Sequence, residues 1–230
     1  MLLLRELHQV VGQREDDFEA ACQEWMQLLA RGDDARLLWY LTQAHGGGPS
    51  YVVVTITAIA DGKAWESLAR RLQAGDLQPW VAQLDTLRHD VFGSLMTPLA
   101  WSPLQEVDAA QVPATVANHD LSLYMEDTMW PHLGRLHDYI ERAGTFYTEL
   151  LSRPEALLRL EAATRPALGG GDRSVTLLQK VRDPKAILRL LTTEIEPEQR
   201  APGTWMHDAL ELRDQWESRL LRTSGWSPCW

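Results

Sequence analysis

Six side chains suited to acid–base chemistry lie on predicted strands of this sequence. Successive side chains of a strand point to opposite faces of a sheet, so Glu6 and His8 share one face with Leu4 and Val10. A carboxylate enclosed by apolar side chains has a raised pKa and can exchange a proton, and a nearby histidine can shuttle protons near neutral pH. We therefore expect six catalytic groups facing an enclosed cavity: Glu6, His8, Tyr124, Glu126, Arg159 and Glu161.

A structural role is the alternative for each of these residues. Glu126 and Arg159 could form an ion pair, and His8 could be a core or rim histidine, because structural networks use the same groups. A second set is expected to bind the substrate. Trp39 and His45 share a face of the second predicted strand, and Tyr51 and Thr55 share a face of the third: Trp39, His45, Tyr51 and Thr55.

No cofactor or metal ion is predicted, and haem is the runner-up. His132 and His137 are five residues apart, so they do not stack on one side of a helix as a metal-binding pair would. The glycine triplets lie between strands and lack the spacing of a phosphate-binding loop. A haem would need an axial ligand in a large apolar pocket. The eligible histidines are His8, His45, His89 and His207.

The sequence repeats itself with an offset that drifts slowly along the chain. The matched pairs are Glu6 with Glu126 (offset 120), Phe18 with Tyr139 and Trp25 with Phe146 (121), Gly46 with Gly169 (123), and Trp80 with Trp205 and Trp101 with Trp226 (125). Since chance matches would not stay in the same order, we interpret them as a tandem duplication. The predicted repeats are 1–110 and 118–230.

Each predicted copy has the order β-α-β-β-α-β. In the first copy, alternating or β-branched runs predict strands at 2–11, 35–44, 51–60 and 97–107, and apolar spacing predicts helices at 15–31 and 63–92. In the second, we predict strands at 118–127, 156–165, 174–181 and 222–230, with helices after Pro131 and Pro184. This order is the ferredoxin-like motif, an α+β fold class.

A four-stranded sheet with helices on one side leaves its other face bare. Both faces of the strand at 51–60 avoid charge. The sequence therefore predicts that the two bare faces cover one another, as a barrel-like pair enclosing a cavity.

Composition limits the partners of the protein. Lys and Arg total 22 against 32 Asp and Glu, a formal charge of −10, so nucleic acid and anionic membranes are poor partners. Ten tryptophans favour an aromatic-lined cavity for a hydrophobic small molecule. The segment MLLLRELHQV resembles neither a signal peptide nor a membrane span, and two cysteines form no framework, which favours the cytoplasm.

The tandem ferredoxin-like copies, with Trp80 after LQP and a closing strand, resemble the dimeric α+β barrel superfamily. Within it the tandem arrangement is most similar to NIPSNAP-like proteins. The resemblance implies a cavity between sheets and often a homodimer. Its members include cofactor-free oxygenases, haem enzymes, cyclases and proteins of unknown role.

Three functions are compatible with these features. The first is an enzyme that uses cofactor-independent acid–base chemistry for oxygenation, cyclisation or dehydration of a hydrophobic or aromatic substrate, in specialised metabolism. The second is a haem enzyme or carrier. The third is a non-catalytic binding or assembly protein whose interior is filled.

Overall fold

The computed structural model describes residues 1–168 and 172–230, with every side chain except those of residues 151 and 152. The turn predicted at Gly169-Gly170-Gly171 lies outside the described residues. The first copy contains β1 (Leu2–Val10), α1 (Glu15–Leu29), β2 (Ala35–Gln43), β3 (Val52–Ile59), α2 (Gly62–Ala74), α3 (Gln78–Asp85) and β4 (Arg88–Pro98). The second contains β5 (Leu123–Pro131), α4 (Leu136–Ser152), β6 (Leu158–Pro166), β7 (Val175–Val181), α5 (Ile187–Thr192), α6 (Trp205–Asp208) and β8 (Arg213–Thr223). Both copies follow the predicted order, and the α+β class is confirmed.

The chain divides into two compact units, neither of which is a continuous stretch. Unit 1 comprises Met1–Thr97, Gln105–Leu121 and Leu220–Trp230, and unit 2 comprises Pro98–Leu104 and Ser122–Arg219. Unit 1 thus contains the end of the second copy, from the last residues of β8 onward. Unit 2 contains the segment that follows β4 of the first copy. The repeat boundaries 1–110 and 118–230 concern the duplicated sequence and stay a prediction.

Unit 1 is an antiparallel sheet with helices on one face. Its strand order is β4-β1-β3-β2, and the last residues of β8 pair with β2. Alternate strand residues meet the inner side of α1 in a core that includes Val10, Leu37, Val53, Ile59 and Phe18. This face is therefore the one covered by helices.

Unit 2 repeats this arrangement. The first part of β8 lies beside β5, followed by β7 and β6, and Leu99 donates a backbone hydrogen bond to Ala163 on β6. Met129 and Leu177 pack against Tyr139 of α4. The face of β5 that carries Met129 is thus the one covered by helices.

The same aromatic stack holds the helices of each unit together. In unit 1, Trp25 and Trp80 are nearly parallel with ring centroids 3.9 Å apart. In unit 2, Phe146 and Trp205 stack at 5.1 Å. These four residues are the pairs matched in the sequence at offsets 121 and 125, so the duplication is visible in the packing.

The two Trp-Ser-Pro segments make equivalent contacts. The segment of the second copy makes them in unit 1, and the segment of the first copy makes them in unit 2. In unit 1, the indole of Trp226 donates to Glu19 of α1 (2.7 Å), and Ser227 Oγ accepts the backbone N–H of Tyr40 (3.1 Å). Ser227 thus satisfies a backbone donor on β2.

The equivalent contacts in unit 2 involve the first copy's segment. Trp101 donates to the carbonyl of Ile140 on α4 (3.0 Å), and Ser102 Oγ accepts the N–H of Ala163 (2.9 Å). The segments were predicted as strands, and this was wrong.

The fourth strand of each copy lies upstream of its predicted position. These strands were predicted at 97–107 and 222–230, whereas β4 begins at Arg88 and β8 at Arg213. The first halves of both strands are mostly exposed and polar, so they lack the alternation that marks a half-buried strand. The strand predicted at 118–127 lies downstream of its predicted position, as β5 at Leu123–Pro131. Within residues 1–168 and 172–230, no helix combines the length and hydrophobicity needed to cross a bilayer.

Candidate functional site

Each unit holds a cluster of ionisable side chains between its sheet and its helices. The His8 cluster of unit 1 consists of Glu6, His8, Thr55, Asp85 and Arg88. The Asp127 cluster of unit 2 consists of Asp127, Tyr139, Tyr147, Gln179 and Arg213.

His8 is fixed by a hydrogen bond at each ring nitrogen. Nδ1 lies 2.9 Å from Arg88 Nη1, and Nε2 lies 3.0 Å from Thr55 Oγ1. Since a guanidinium can only donate, Nδ1 is the unprotonated nitrogen and Nε2–H donates to Thr55. Burial, followed by the charge of Arg88, lowers the pKa of His8 to about 3. His8 is therefore a neutral structural group.

All three side-chain nitrogens of Arg88 are hydrogen-bonded within the protein. Its Nε and Nη2 donate to Asp85 Oδ1 at 2.9 and 2.5 Å, and its side chain is 8% exposed. Glu6 lies partly buried nearby, and burial raises its pKa while Arg88 opposes the rise. The cation of unit 1 thus has a carboxylate partner three residues before it.

The neutral His8 predicts a specific pH dependence of stability. The folded pKa lies below the value of 6.5 expected in the unfolded chain, so its stabilising contribution is present above pH 6.5 and is lost as pH falls toward about 3. One proton taken up on unfolding corresponds to a slope of about 1.4 kcal/mol per pH unit. Guanidinium unfolding curves across this interval measure the slope. His8→Gln keeps the hydrogen-bonding groups but cannot titrate, so its curve should be flatter by that amount; an identical slope in both proteins would refute the assignment.

The Asp127 cluster is built on the helix-covered face of unit 2. Gln179 Nε2 donates to Asp127 Oδ2 at 2.7 Å, and Asp127 is 5% exposed. Tyr139 and Tyr147 project from α4, and Arg213 begins β8. Within the described residues, the following buried atoms of this cluster have no hydrogen bond of standard geometry: Asp127 Oδ1, Tyr139 OH and Arg213 Nε.

Burial and neighbouring groups shift the pKa values of the ionisable side chains in this cluster. Burial raises the pKa of Asp127, while hydrogen bonds from Ser218, Trp216 and Gln179 act to lower it. Burial also raises the pKa of Tyr139, and it raises that of Tyr147 to about 12, with Asp127 and Arg213 acting on both. Both phenols are thus neutral donors beside a carboxyl group of elevated basicity.

Aromatic rings surround this cluster. Trp205 lies 5.8 Å from Tyr139 and 6.0 Å from Tyr147, and Trp101 lies 6.4 Å from Tyr147. These rings belong to the packed core of unit 2. The buried carboxyl group and the two phenols beside them are of the type that can exchange a proton with an aromatic molecule.

Glu6 and His8 lie on a different face from the one expected. They share it with Leu4 and Val10, as predicted, but it is covered by helix α1, and the ring of His8 packs 5.2 Å from Phe18. The expectation that this face is bare is wrong.

The other four predicted catalytic residues occupy the face of the unit 2 sheet opposite α4. Tyr124 and Arg159 are both cross-strand partners of Lys180, which the sequence analysis missed. Glu126 is ion-paired with Arg219 (3.4 Å), and Arg159 with Glu161 (2.6 Å), rather than with each other. Their catalytic role stays a prediction.

The four predicted substrate-binding residues do not share one surface. Trp39 is buried on the uncovered face of β2, whereas Thr55 is bound to His8 on the covered face. Tyr51 is half exposed with a φ of 62°, and His45 is exposed. The four side chains therefore lie on separate surfaces, and their role in substrate binding stays a prediction.

The histidines named as axial haem ligands do not fit that role. Both ring nitrogens of His8 are hydrogen-bonded, and His45 and His89 are exposed. His207 is 42% exposed and bound to Asp208. None of these four presents an unbound nitrogen in a buried apolar pocket, as an axial ligand would. In residues 1–168 and 172–230, no three His, Cys, Asp or Glu side chains converge to hold a metal ion.

Solved structures share this fold across nearly the whole chain. A monooxygenase-like protein from Fusobacterium nucleatum is 8% identical with a TM-score of 0.64, over 98% of this chain and 93% of that one. An anthrone oxidase-like protein is 9% identical (TM-score 0.60; 98% and 92%), and a chlorite dismutase-like protein is 11% identical (0.55; 97% and 95%). Two NIPSNAP proteins align with 45% of this chain, at 21% and 16% identity and with TM-scores of only 0.38 and 0.37. No family model and no curated protein matches the sequence. The fold is that of the ferredoxin-like, dimeric α+β barrel proteins, as the sequence resemblance implied.

Proposed function

We propose that this protein is an enzyme that oxygenates a hydrophobic or aromatic small molecule by acid–base chemistry without a bound cofactor. The reaction takes place at the Asp127 cluster of unit 2. The observation that supports it most is the buried Asp127 carboxyl group: Gln179 holds Oδ2, while Oδ1 makes no hydrogen bond of standard geometry with the described residues.

The cluster can supply each part of such a reaction. Ionised Asp127 accepts a proton from an activated O–H or C–H group of the substrate through Oδ1, since its raised pKa makes it a stronger base than an ordinary aspartate. The Tyr139 phenol can donate to the oxygen on which charge develops. The resulting carbanion reacts with O₂ to form a carbon–oxygen bond, and the peroxide anion takes the proton back from Asp127. Where the same carbon carries a second hydrogen, the O–O bond of this hydroperoxide breaks with loss of water and leaves a carbonyl, so O₂ supplies one oxygen atom to the product and one to water. In a cyclisation or dehydration, the protonated Asp127 returns its proton instead.

The fold of the solved structures supports this proposal at a coarse level. Monooxygenase-like and anthrone oxidase-like proteins share it, and so does a chlorite dismutase-like protein. Haem binding is the alternative chemistry, and a non-catalytic binding or assembly module is the alternative function. A homodimer is the oligomeric state that the sequence resemblance implies.

A substrate screen separates the three possibilities. Purified protein is incubated with anthrones, phenols and polycyclic enols under ¹⁸O₂, and products are followed by mass spectrometry beside an absorption scan. We expect ¹⁸O incorporation into at least one aromatic substrate and no Soret band. A Soret band in the purified protein would favour the haem enzyme, and tight binding of these compounds without any turnover would favour the binding module.

A further inference from the structure

Arg213 and Arg88 occupy equivalent positions but differ in their partners. Each is the first residue of an eleven-residue closing strand, β8 or β4. Arg88 is bound by Asp85, three residues earlier, and by His8 on β1. At the equivalent positions of the second copy stand Leu210 and Met129. Both polar partners of the arginine have thus been replaced by apolar residues.

The guanidinium of Arg213 is nevertheless buried. The residue is 6% exposed, its Nε lacks a hydrogen-bond partner, and its Cζ lies 5.3 Å from the centroid of the Trp216 ring. Among the residues that the structure describes, no carboxylate forms an ion pair with it. A buried charge without a counterion is costly, so the site favours an anion that supplies one.

The character of that anion follows from unit 1 and from the surrounding rings. There the arginine is occupied by the carboxylate of Asp85, which receives two of its N–H groups. In unit 2 the arginine is bordered by Tyr139 and by Trp216, which is 49% exposed. An aromatic carboxylate matches both the guanidinium and these rings.

We propose that unit 2 binds an aromatic carboxylate through Arg213, at the position that unit 1 fills with its own Asp85. The bound anion belongs to the same cluster as Asp127, because Arg213 and Asp127 both act on the Tyr139 phenol. This inference deepens the proposed function by naming a substrate class, and it rests on that function only for placing the reaction at the same site.

Leu210→Asp offers a sharp test because it restores the internal partner of the first copy. Leu210 is 56% exposed, so the substitution should leave the fold intact, as circular dichroism and the melting temperature will verify. Calorimetric titration with 2-naphthoate should give an affinity about tenfold to a hundredfold weaker for Leu210→Asp and for Arg213→Gln than for the unchanged protein. Leu210→Asn, which matches the size of aspartate without its charge, should bind 2-naphthoate normally.

Neutral 2-naphthamide should bind the unchanged protein weakly. Equal affinity for the acid and the amide, equal affinity in Leu210→Asp and Leu210→Asn, or no binding of 2-naphthoate would each overturn the proposal. Measuring binding and turnover distinguishes a failure of the carboxylate proposal from a failure of the proposed function. If 2-naphthoate binds as expected and no substrate is converted, the proposed function fails alone; if conversion occurs and Leu210→Asp leaves KM unchanged, the carboxylate proposal fails alone.

Discussion

Asp127→Asn should lower kcat by about 10² to 10⁴-fold on any substrate that the protein converts. The amide keeps an oxygen for the Gln179 hydrogen bond at 2.7 Å but cannot accept the substrate proton. Steady-state kinetics measure the loss. KM should change little, because the substitution removes a proton acceptor and leaves the aromatic wall in place.

Stability provides a check that this loss is not unfolding. Burial raises the folded pKa of Asp127, so ionisation opposes folding increasingly as pH rises through that pKa. Asp127→Asn removes the cost and should therefore be at least as stable as the unchanged protein at neutral pH. A lower melting temperature at neutral pH would show that the carboxylate has a structural role instead.

Glu6→Gln is the matched control for Asp127→Asn. Glu6 occupies the equivalent strand position of unit 1, and its pKa is also raised by burial. The proton transfer assigned to Asp127 predicts that Glu6→Gln retains nearly full turnover. A comparable loss in both variants would place chemistry in both units.

Trp80→Ala should be the most destabilising of the single substitutions considered, at about 3–5 kcal/mol. The side chain is 8% exposed, stacks on Trp25 at 3.9 Å and donates to the carbonyl of Ala21 at 2.7 Å. Alanine leaves a large cavity between α1 and α3 and removes the indole hydrogen bond to the Ala21 carbonyl. Guanidinium unfolding followed by circular dichroism measures the change in the free energy of unfolding.

Trp216→Ala is the control for tryptophan loss as such. This side chain is 49% exposed, so its removal should cost less than about 1 kcal/mol. Similar losses in the two variants would contradict the claim that the Trp25–Trp80 stack anchors the helices of unit 1.

Much of the fold could be predicted from the sequence because the two aligned copies each indicate the same order of strands and helices. The offset of 121 between Phe18 and Tyr139 correctly aligns α1 with α4, and it also aligns β1 with β5. The match of Glu6 with Glu126 used an offset of 120 instead. A shift of one residue moves a side chain to the other face of a strand, so this match concealed Asp127 as the true counterpart of Glu6.

The contents of the two clusters could be predicted only in part. The match of Leu87-Arg88 with Leu212-Arg213 was visible in the sequence, and the change from Asp85 to Leu210 follows from the same offset. The involvement of Gln179 was not visible, because its contact with Asp127 spans 52 residues and depends on strand register. Sequence spacing alone does not determine which strand face the helices cover.

A crystal structure with bound 2-naphthoate tests most directly whether the Asp127 cluster is the functional site. The predicted result is a ligand whose carboxylate contacts Arg213 and whose ring lies within reach of Asp127 Oδ1 and Trp205. A ligand seated instead on the opposite sheet face, against Lys180 and Arg159, would contradict it.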